Sequence, residues 1–348
     1  MEFFFFTKYD MSGPSSRYRT YQYLQHYENE GIVCKVFPLF EKEYFELKGS
    51  RKVVYVLKQY FTRFFHLLSL LNGKKVYIEY ELFPYFFSFF EFILYLFNVK
   101  YIVDYDDAIF HNYDNNKSGI IRFLLKKKIK NVIKFSSVVI TGSPYLTSYA
   151  KKHSKNVIEI PTSVSSEKYN KIVANFNEVF IIGWIGSKST SVNIVEMIEV
   201  FKNISDINYC LYLVGFDADL EFKLKGVNYK IISWTSEFEV SWINKFDVGI
   251  MPLVDNSFNK GKCGFKLIQY MACAKPTIST PLEANVKINR NKKNLHASSI
   301  SEWEIEIRKV FESREVFKRV GMDNYNCFLD FYCVENNKNE YISILKKL

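Results

Sequence analysis

The feature that most constrains this chain is an alternation. Short apolar runs rich in β-branched and aromatic residues recur, and longer stretches with helical spacing separate them. In the first half the runs fall at 2–6, 32–37, 75–79, 100–104, 137–140 and 157–160, with amphipathic stretches at 17–29, 52–71, 85–97, 119–134 and 144–152. The segment 161–177 opens with Pro161, is more polar and has no period. The rhythm then restarts, with runs at 179–184, 209–214, 230–233, 247–251 and 276–279 and helical stretches at 191–203, 237–244 and 264–273. Beyond 301 the chain reads as helix, with Trp303, Ile307, Val310 and Phe311 at helical spacing. This is the pattern of doubly wound parallel sheets. It predicts an α/β chain of two Rossmann-like domains, 1–165 and 179–322, joined by a linker at 166–178. A helical tail at 323–348 is expected to cross back to the first domain.

A length of 348 residues suits two domains and a sizeable core. Aromatic residues make up 18% of the chain, enough to predict exposed aromatic surface somewhere. The net charge of +10 favours an anionic partner: a phosphorylated substrate, an anionic lipid surface or nucleic acid. No nucleic-acid recognition motif accompanies the charge, so nucleic acid is not expected. The six cysteines form no CxxC and no Cys/His cluster with zinc spacing, and they read as free thiols in a reducing compartment. The start, Met1 to Phe6, lacks a basic region and reads as a buried strand rather than a signal peptide.

Two segments bear on membranes. Residues 84–98 are strongly apolar but too short to span a bilayer, which takes about 20 residues, and Glu91 lies inside them. A buried helix is the preferred reading, with an interfacial helix as the alternative. Residues 122–134 place Arg122 and five lysines around an apolar stripe. Beside an apolar helix such a stretch can bind anionic headgroups at roughly 1 kcal/mol per basic residue.

In open α/β sheets ligands bind at the carboxyl ends of strands, here in a cleft between the two domains, so the loops after strands are where chemistry is expected. After the first strand comes Gly13-Pro14-Ser15-Ser16-Arg17, a small-residue turn into a helix with a guanidinium suited to phosphate or carboxylate. Asp104, Asp106 and Asp107 end the fourth strand. Carboxylates this close repel unless something uses them, as a base, a sugar-hydroxyl partner or a metal ligand. Gly186-Ser187-Lys188 opens the second domain without GxGxxG spacing, so a nicotinamide is not indicated, yet it suits a phosphate. The P-loop pattern also fails around Gly261-Lys262, where Asn256 and Cys263 occupy the positions of the required Gly and Ser/Thr. The longest signal runs from Asp247-Val248-Gly249-Ile250-Met251-Pro252-Leu253 to Gly261-Lys262-Cys263-Gly264-Phe265-Lys266 and on to Gln269. Lys266 and Gln269 share a helix face one turn apart, a cation and an amide suited to diphosphate and ribose.

These strings, with GWIGSKST, LYLVG, DYDDAIF and IPTSV, resemble retaining glycosyltransferases of family 4 and the GT-B fold, of the kind that builds bacterial surface polysaccharide. The resemblance runs nearly the whole length. It implies sugar transfer from a nucleotide-sugar donor with retention at the anomeric carbon, the donor being a substrate and no cofactor or metal being needed. It implies that Lys266 binds the diphosphate and Gln269 the ribose or phosphate, with Gly186, Ser187, Lys188 and Lys262 assisting. Trp234 and Thr235 are placed at the base. Met251, Pro252, Leu253 and the loop of Gly13, Ser15, Ser16 and Arg17 are placed at the donor sugar or acceptor. The acidic pair usual in that family falls on Gly261 and Gln269, and the usual histidine aligns near Asp106, so Asp106 or Asp107 is expected to take its polar role. The implied acceptor is a lipid-linked glycan, reached by an enzyme associated peripherally with an anionic membrane surface on its cytoplasmic side. The departures leave two alternatives, a catalytically silent GT-B scaffold and a GT-B nucleotide-sugar epimerase.

Overall fold

A computed structural model describes residues 1–70, 74–169 and 178–348. Most of the expected linker, 170–177, and the last residue of the helix expected at 52–71 lie outside these residues. The chain forms two compact units, one comprising Met1–Thr162, Lys260–Cys263 and Asn337–Leu348, the other Ser163–Asn259 and Gly264–Asn336.

The first unit is built on six parallel strands: β1 (Glu2–Tyr9), β2 (Val33–Phe40), β3 (Lys75–Glu79), β4 (Tyr101–Tyr105), β5 (Val138–Thr141) and β6 (Val157–Glu159). Their spatial order is β2-β1-β3-β4-β5-β6. The four phenylalanines of β1 explain its central place. A parallel strand with both faces covered needs a continuous apolar run, and Phe3, Phe4, Phe5 and Phe6 are each 2% exposed or less. Full burial of each contributes about 1.5–3 kcal/mol. Phe5 pairs in register with Val36 of β2 and with Tyr77 of β3. The chain leaves β1 toward β2 on one side and returns as β3 on the other, so loops after β1 and β3 diverge at this switch point.

The second unit repeats the plan with β7 (Phe180–Ile185), β8 (Tyr209–Val214), β9 (Tyr229–Ile232), β10 (Val248–Met251), β11 (Thr277–Ser279) and β12 (Leu295–His296), ordered β12-β11-β10-β7-β8-β9 and all parallel. Here the switch point lies between β7 and β10. Ile182, Trp184, Leu211, Leu213 and Ile250 form the centre of its core.

Two expectations fail at helices of the first unit. The stretch at 119–134 breaks into Gly119–Leu125 and Lys128–Phe135, because Lys128 turns inward, 3% exposed, and pairs with Glu81. The apolar segment 84–98 is not a buried helix. Its helix, Phe89–Leu96, buries Glu91 and Leu94 and exposes Phe89, Phe92, Tyr95 and Leu96. Glu91 is held inward by the Leu82 N–H, which donates to its Oε1 at 2.9 Å. No helix among the described residues is long and apolar enough to cross a membrane.

Candidate functional site

In the first unit, the loops after β1, β3 and β4 carry one polar cluster. Of the three aspartates ending β4, Asp104 is structural. Arg19 grips it with two N–H groups, at 2.6 and 3.0 Å, both residues being 1% exposed, and the Tyr77 hydroxyl donates to it as well. Arg19 also donates to the Ile160 carbonyl at 2.8 Å. A buried pair survives only with this kind of saturation. Asp106 is half-buried and accepts from the Tyr80 hydroxyl. Burial, with Asp107 beside it, raises its pKa to about 6. Asp107 is paired with Lys262 at 2.8 Å. Lys262, expected at the donor diphosphate, is therefore engaged by an aspartate of its own unit.

Two residues that the sequence analysis did not single out complete the cluster. Glu79, 1% exposed, accepts from Ser16 Oγ at 2.7 Å and from the Lys8 N–H at 3.3 Å, and burial raises its pKa to about 8. Its Oε1 has no hydrogen-bond partner among the described residues. Tyr80 follows with φ of 64°, a left-handed backbone that a tyrosine adopts only under constraint. That turn aims its phenol at Asp106 and at Ser15 Oγ, 2.9 Å away. Gly13 packs so tightly on Tyr9 that a Cβ would sit 2.3 Å from the tyrosine Cβ. Arg17 braces its own loop, donating to the carbonyls of Met11 at 2.8 Å and Ser12 at 3.1 Å.

Gly261 belongs to this unit too. A Cβ there would lie 2.4 Å from the Ala108 Cβ and 3.0 Å from its backbone nitrogen. No side chain fits, which accounts physically for the missing acid at that position.

In the second unit, the loops after β7, β8 and β9 converge. Gly215, at φ 78°, follows β8. A Cβ there would meet the Gly186 carbonyl oxygen at 2.3 Å and the Trp234 Cβ at 3.3 Å. Gly186 follows β7 and would clash at 2.2 Å with the Trp184 ring. Ser187 caps the short turn Lys188–Thr190 in a capping box with Thr190. Lys188 is 78% exposed, 4.0 Å from Asp217. Thr235 is exposed, its Oγ1 accepting from the Phe238 N–H. Gly264, left-handed at φ 65° and against Ile288, starts the helix Phe265–Ala272. Lys266 in its first turn is half-buried, with Nζ 6.0 Å from the centre of the Trp184 ring.

Gln269 points elsewhere. It is 4% exposed, and its amide donates to the Tyr169 hydroxyl at 2.9 Å. Tyr169 donates to Glu239 at 2.7 Å, and Glu239 also receives Trp234 Nε1 at 2.9 Å and Lys168 at 2.8 Å. Burial alone would raise the Glu239 pKa, but Lys168 and the two ring donors hold it below the usual carboxylate range. Trp234 is thus fixed by a buried network that reaches Gln269. Met251, Pro252 and Leu253, expected at the donor sugar, are buried, and the Leu253 N–H donates to Thr280 Oγ1 at 2.9 Å. Among the described residues no group of three His, Cys, Asp or Glu side chains is placed to hold a metal ion.

Each unit thus presents strand-end loops with small residues, cations and a fixed aromatic ring, the equipment for a phosphorylated or glycosidic ligand. Comparison with known proteins is consistent with this chemistry. Residues 179–312 match the family described as glycosyl transferases group 1. Over the whole chain the structure resembles sucrose-phosphate synthase from Thermosynechococcus elongatus, with TM-score 0.74 and 12% identity, covering 100% of this chain and 98% of that one. It also resembles WaaG, a glycosyltransferase involved in lipopolysaccharide biosynthesis, with TM-score 0.71, 11% identity and 99% coverage of both chains. HepE from Anabaena, solved in complex with UDP-glucose, gives TM-score 0.71 and 10% identity over 100% of both chains. No curated protein sequence matches the chain. These likenesses give the fold, GT-B, with two parallel six-stranded sheets and a helical C-terminal end.

Proposed function

We propose that this protein transfers a sugar from a nucleotide-sugar donor to a lipid-linked glycan acceptor, with retention of anomeric configuration, in bacterial surface polysaccharide or lipopolysaccharide synthesis. The observation that carries the reading is the match of residues 179–312 to group 1 glycosyl transferases, in a unit whose strand-end loops meet at Gly186, Gly215 and Trp234. UDP-glucose, solved in complex with HepE, is the first donor to test.

The chemistry follows from charge. Breaking the sugar–diphosphate bond leaves negative charge on the departing nucleotide diphosphate. Lys266, assisted by Lys188 and the glycine turn at Gly186, stabilises that charge without rearrangement. The acceptor hydroxyl attacks the anomeric carbon from the face that the diphosphate leaves, and its proton passes to the leaving phosphate oxygen. Trp234, held by Glu239, offers a ring on which the base stacks. In the first unit, Asp106 with its raised pKa and the Tyr80 hydroxyl orient sugar hydroxyls.

The decisive experiment is a thermal-shift series with UDP, GDP, ADP and CMP on the wild type and on Lys266→Ala. A nucleotide at 100 times its dissociation constant stabilises the native state by about 2.7 kcal/mol. One nucleotide should shift the wild type and fail to shift the variant, and radiolabelled donor should then yield transfer. Two observations favour a second reading, a silent scaffold: Gly261 has no room for an acid, and Gln269 is engaged by Tyr169. A nucleotide shift without transfer or hydrolysis would select it, and release of an altered free sugar nucleotide would select an epimerase.

A further inference from the structure

One face of the first unit is apolar where a water-exposed face is normally polar. The helix Gly49–Leu68 exposes Val53, Leu57, Phe61, Phe64 and Leu68, spaced by four, four, three and four residues along a single stripe. Val54 and Phe65 widen the stripe, at 66% and 55% exposure. The neighbouring helix Phe89–Leu96 continues it, with Phe64 and Phe90 in edge contact, ring centres 6.0 Å apart. Its next neighbour, Lys128–Phe135, meets it through Phe135, 5.3 Å from Phe92 and 5.4 Å from Tyr95. Between the first two helices lies a cavity of about 90 Å³, lined only by apolar side chains, among them Phe64, Leu68, Phe90, Ile93 and Phe97.

Charge identifies the occupant. Residues 49–70 and 115–136 contain no carboxylate, and the one in 84–100, Glu91, is buried. Lys126, Lys127, Lys130 and Lys134 are exposed along the third helix and just before it, Lys134 next to Phe135 in the sequence. A second copy docking face to face would bring these cations together with no anion to offset them. An anionic bilayer supplies both needs, hydrocarbon for the phenylalanines and headgroups for the lysines.

We propose that this three-helix face of the first unit docks on an anionic bilayer and that the slot between Gly49–Leu68 and Phe89–Leu96 takes up the last few carbons of one lipid acyl chain. The proposal deepens the lipid-linked acceptor reading but is tested apart from it, because binding is read on vesicles with no sugar transfer.

The test is flotation of the full chain with phosphatidylcholine vesicles, with and without phosphatidylglycerol, at low and high salt. The wild type should float with phosphatidylglycerol vesicles and lose binding as salt rises. The double variant Phe61→Ser/Phe65→Ser should bind at least about tenfold more weakly to either vesicle, and Lys130→Gln/Lys134→Gln should lose roughly tenfold on the anionic vesicle alone. Phosphatidylglycerol bearing a photoreactive group on one acyl chain should label peptides from 64–70 and 90–99, and Ile93→Trp, which fills the slot, should abolish that labelling. Retained nucleotide-induced shifts in every variant keep this result separate from the donor site. Absence of flotation by folded wild type, flotation indifferent to the phenylalanine variant, or a dimer that Phe61→Ser/Phe65→Ser dissociates would each overturn the docking. Labelling spread outside the two named segments would overturn the slot.

Discussion

Gln269 Nε2 donates to the Tyr169 hydroxyl at 2.9 Å, while Lys266, one turn earlier on the same helix, stays half-buried at the loop side near Trp184. The two residues of the Lys-x-x-Gln string therefore divide their work. The lysine lies beside the Trp184 ring, where the proposed reading puts the donor diphosphate, and the amide anchors the network that fixes Trp234.

Lys266→Ala is expected to lower the rate of donor cleavage by about 10²–10³-fold, the usual effect of removing one preorganised charge-stabilising group. Its melting temperature should stay close to wild type, since the side chain is not core. Normal turnover by the folded variant would remove Lys266 from the site.

Tyr169→Phe deletes the hydroxyl shared by Gln269 and Glu239. Leaving buried partners unsatisfied should cost about 1–3 kcal/mol in urea unfolding. The freed Trp234 should show altered fluorescence and weaker nucleotide binding. A stability loss with unchanged nucleotide affinity would show that the network supports the fold alone.

Glu79 gives the stability a pH dependence whose sign can be worked out. The unfolded residue titrates near 4.5 and the native one near 8. Between those values the folded protein keeps a proton that the unfolded chain has released. The stabilisation is therefore complete below about pH 4.5 and is lost as pH rises through about 8. The shift corresponds to on the order of 5 kcal/mol at about 1.4 kcal/mol per unit. Glu79→Gln should flatten the denaturation midpoint between those pH values, and a variant with the wild-type slope would show that Glu79 titrates normally.

Gly261→Ala should destabilise the protein by about 1–3 kcal/mol, because the new methyl meets Ala108. Gly261→Glu should destabilise it further and should not raise transfer activity. A gain of activity on restoring the acid would instead favour a loop that opens to accept it.

Arg19→Lys is expected to be far from conservative. It loses the two-pronged grip on Asp104 and the bond to Ile160. Breaking a buried pair of this kind costs about 3–5 kcal/mol, measurable by chemical unfolding.

The strands were the most legible part of the sequence. β3 and β8 run as expected, Lys75–Glu79 and Tyr209–Val214, because bounded apolar runs of five or six residues have few other uses. β12, Leu295–His296, was missed, since two residues carry no period. Lys128 read as one of five solvated lysines, and only Glu81, distant in sequence, turns it inward. Glu79 escaped notice because its partner Ser16 lies 63 residues away and nothing local marks it. The stripe on Gly49–Leu68 has perfect helical spacing, but spacing reports that a face is apolar and not whether protein covers it. For the site, the glycines at 186 and 264 and Lys266 were visible as strand-to-helix turn residues. The roles of Tyr169 and Glu239 were not, because a network is a property of contacts.

The first unit is made from three separated pieces of chain, the last of them Asn337–Leu348. Tyr341 from that piece is 1% exposed, with its ring 4.6 Å from that of Tyr23 and 5.7 Å from the Arg19 guanidinium. During synthesis the N-terminal sheet therefore emerges hundreds of residues before the tyrosine that covers its Arg19–Asp104 pair. This unit is therefore complete only once Asn337–Leu348 has been made, so a sheet made early is covered late. Without residues 337–348 that pair would stand open to water, and the unit would depend on chaperones rather than on its own core.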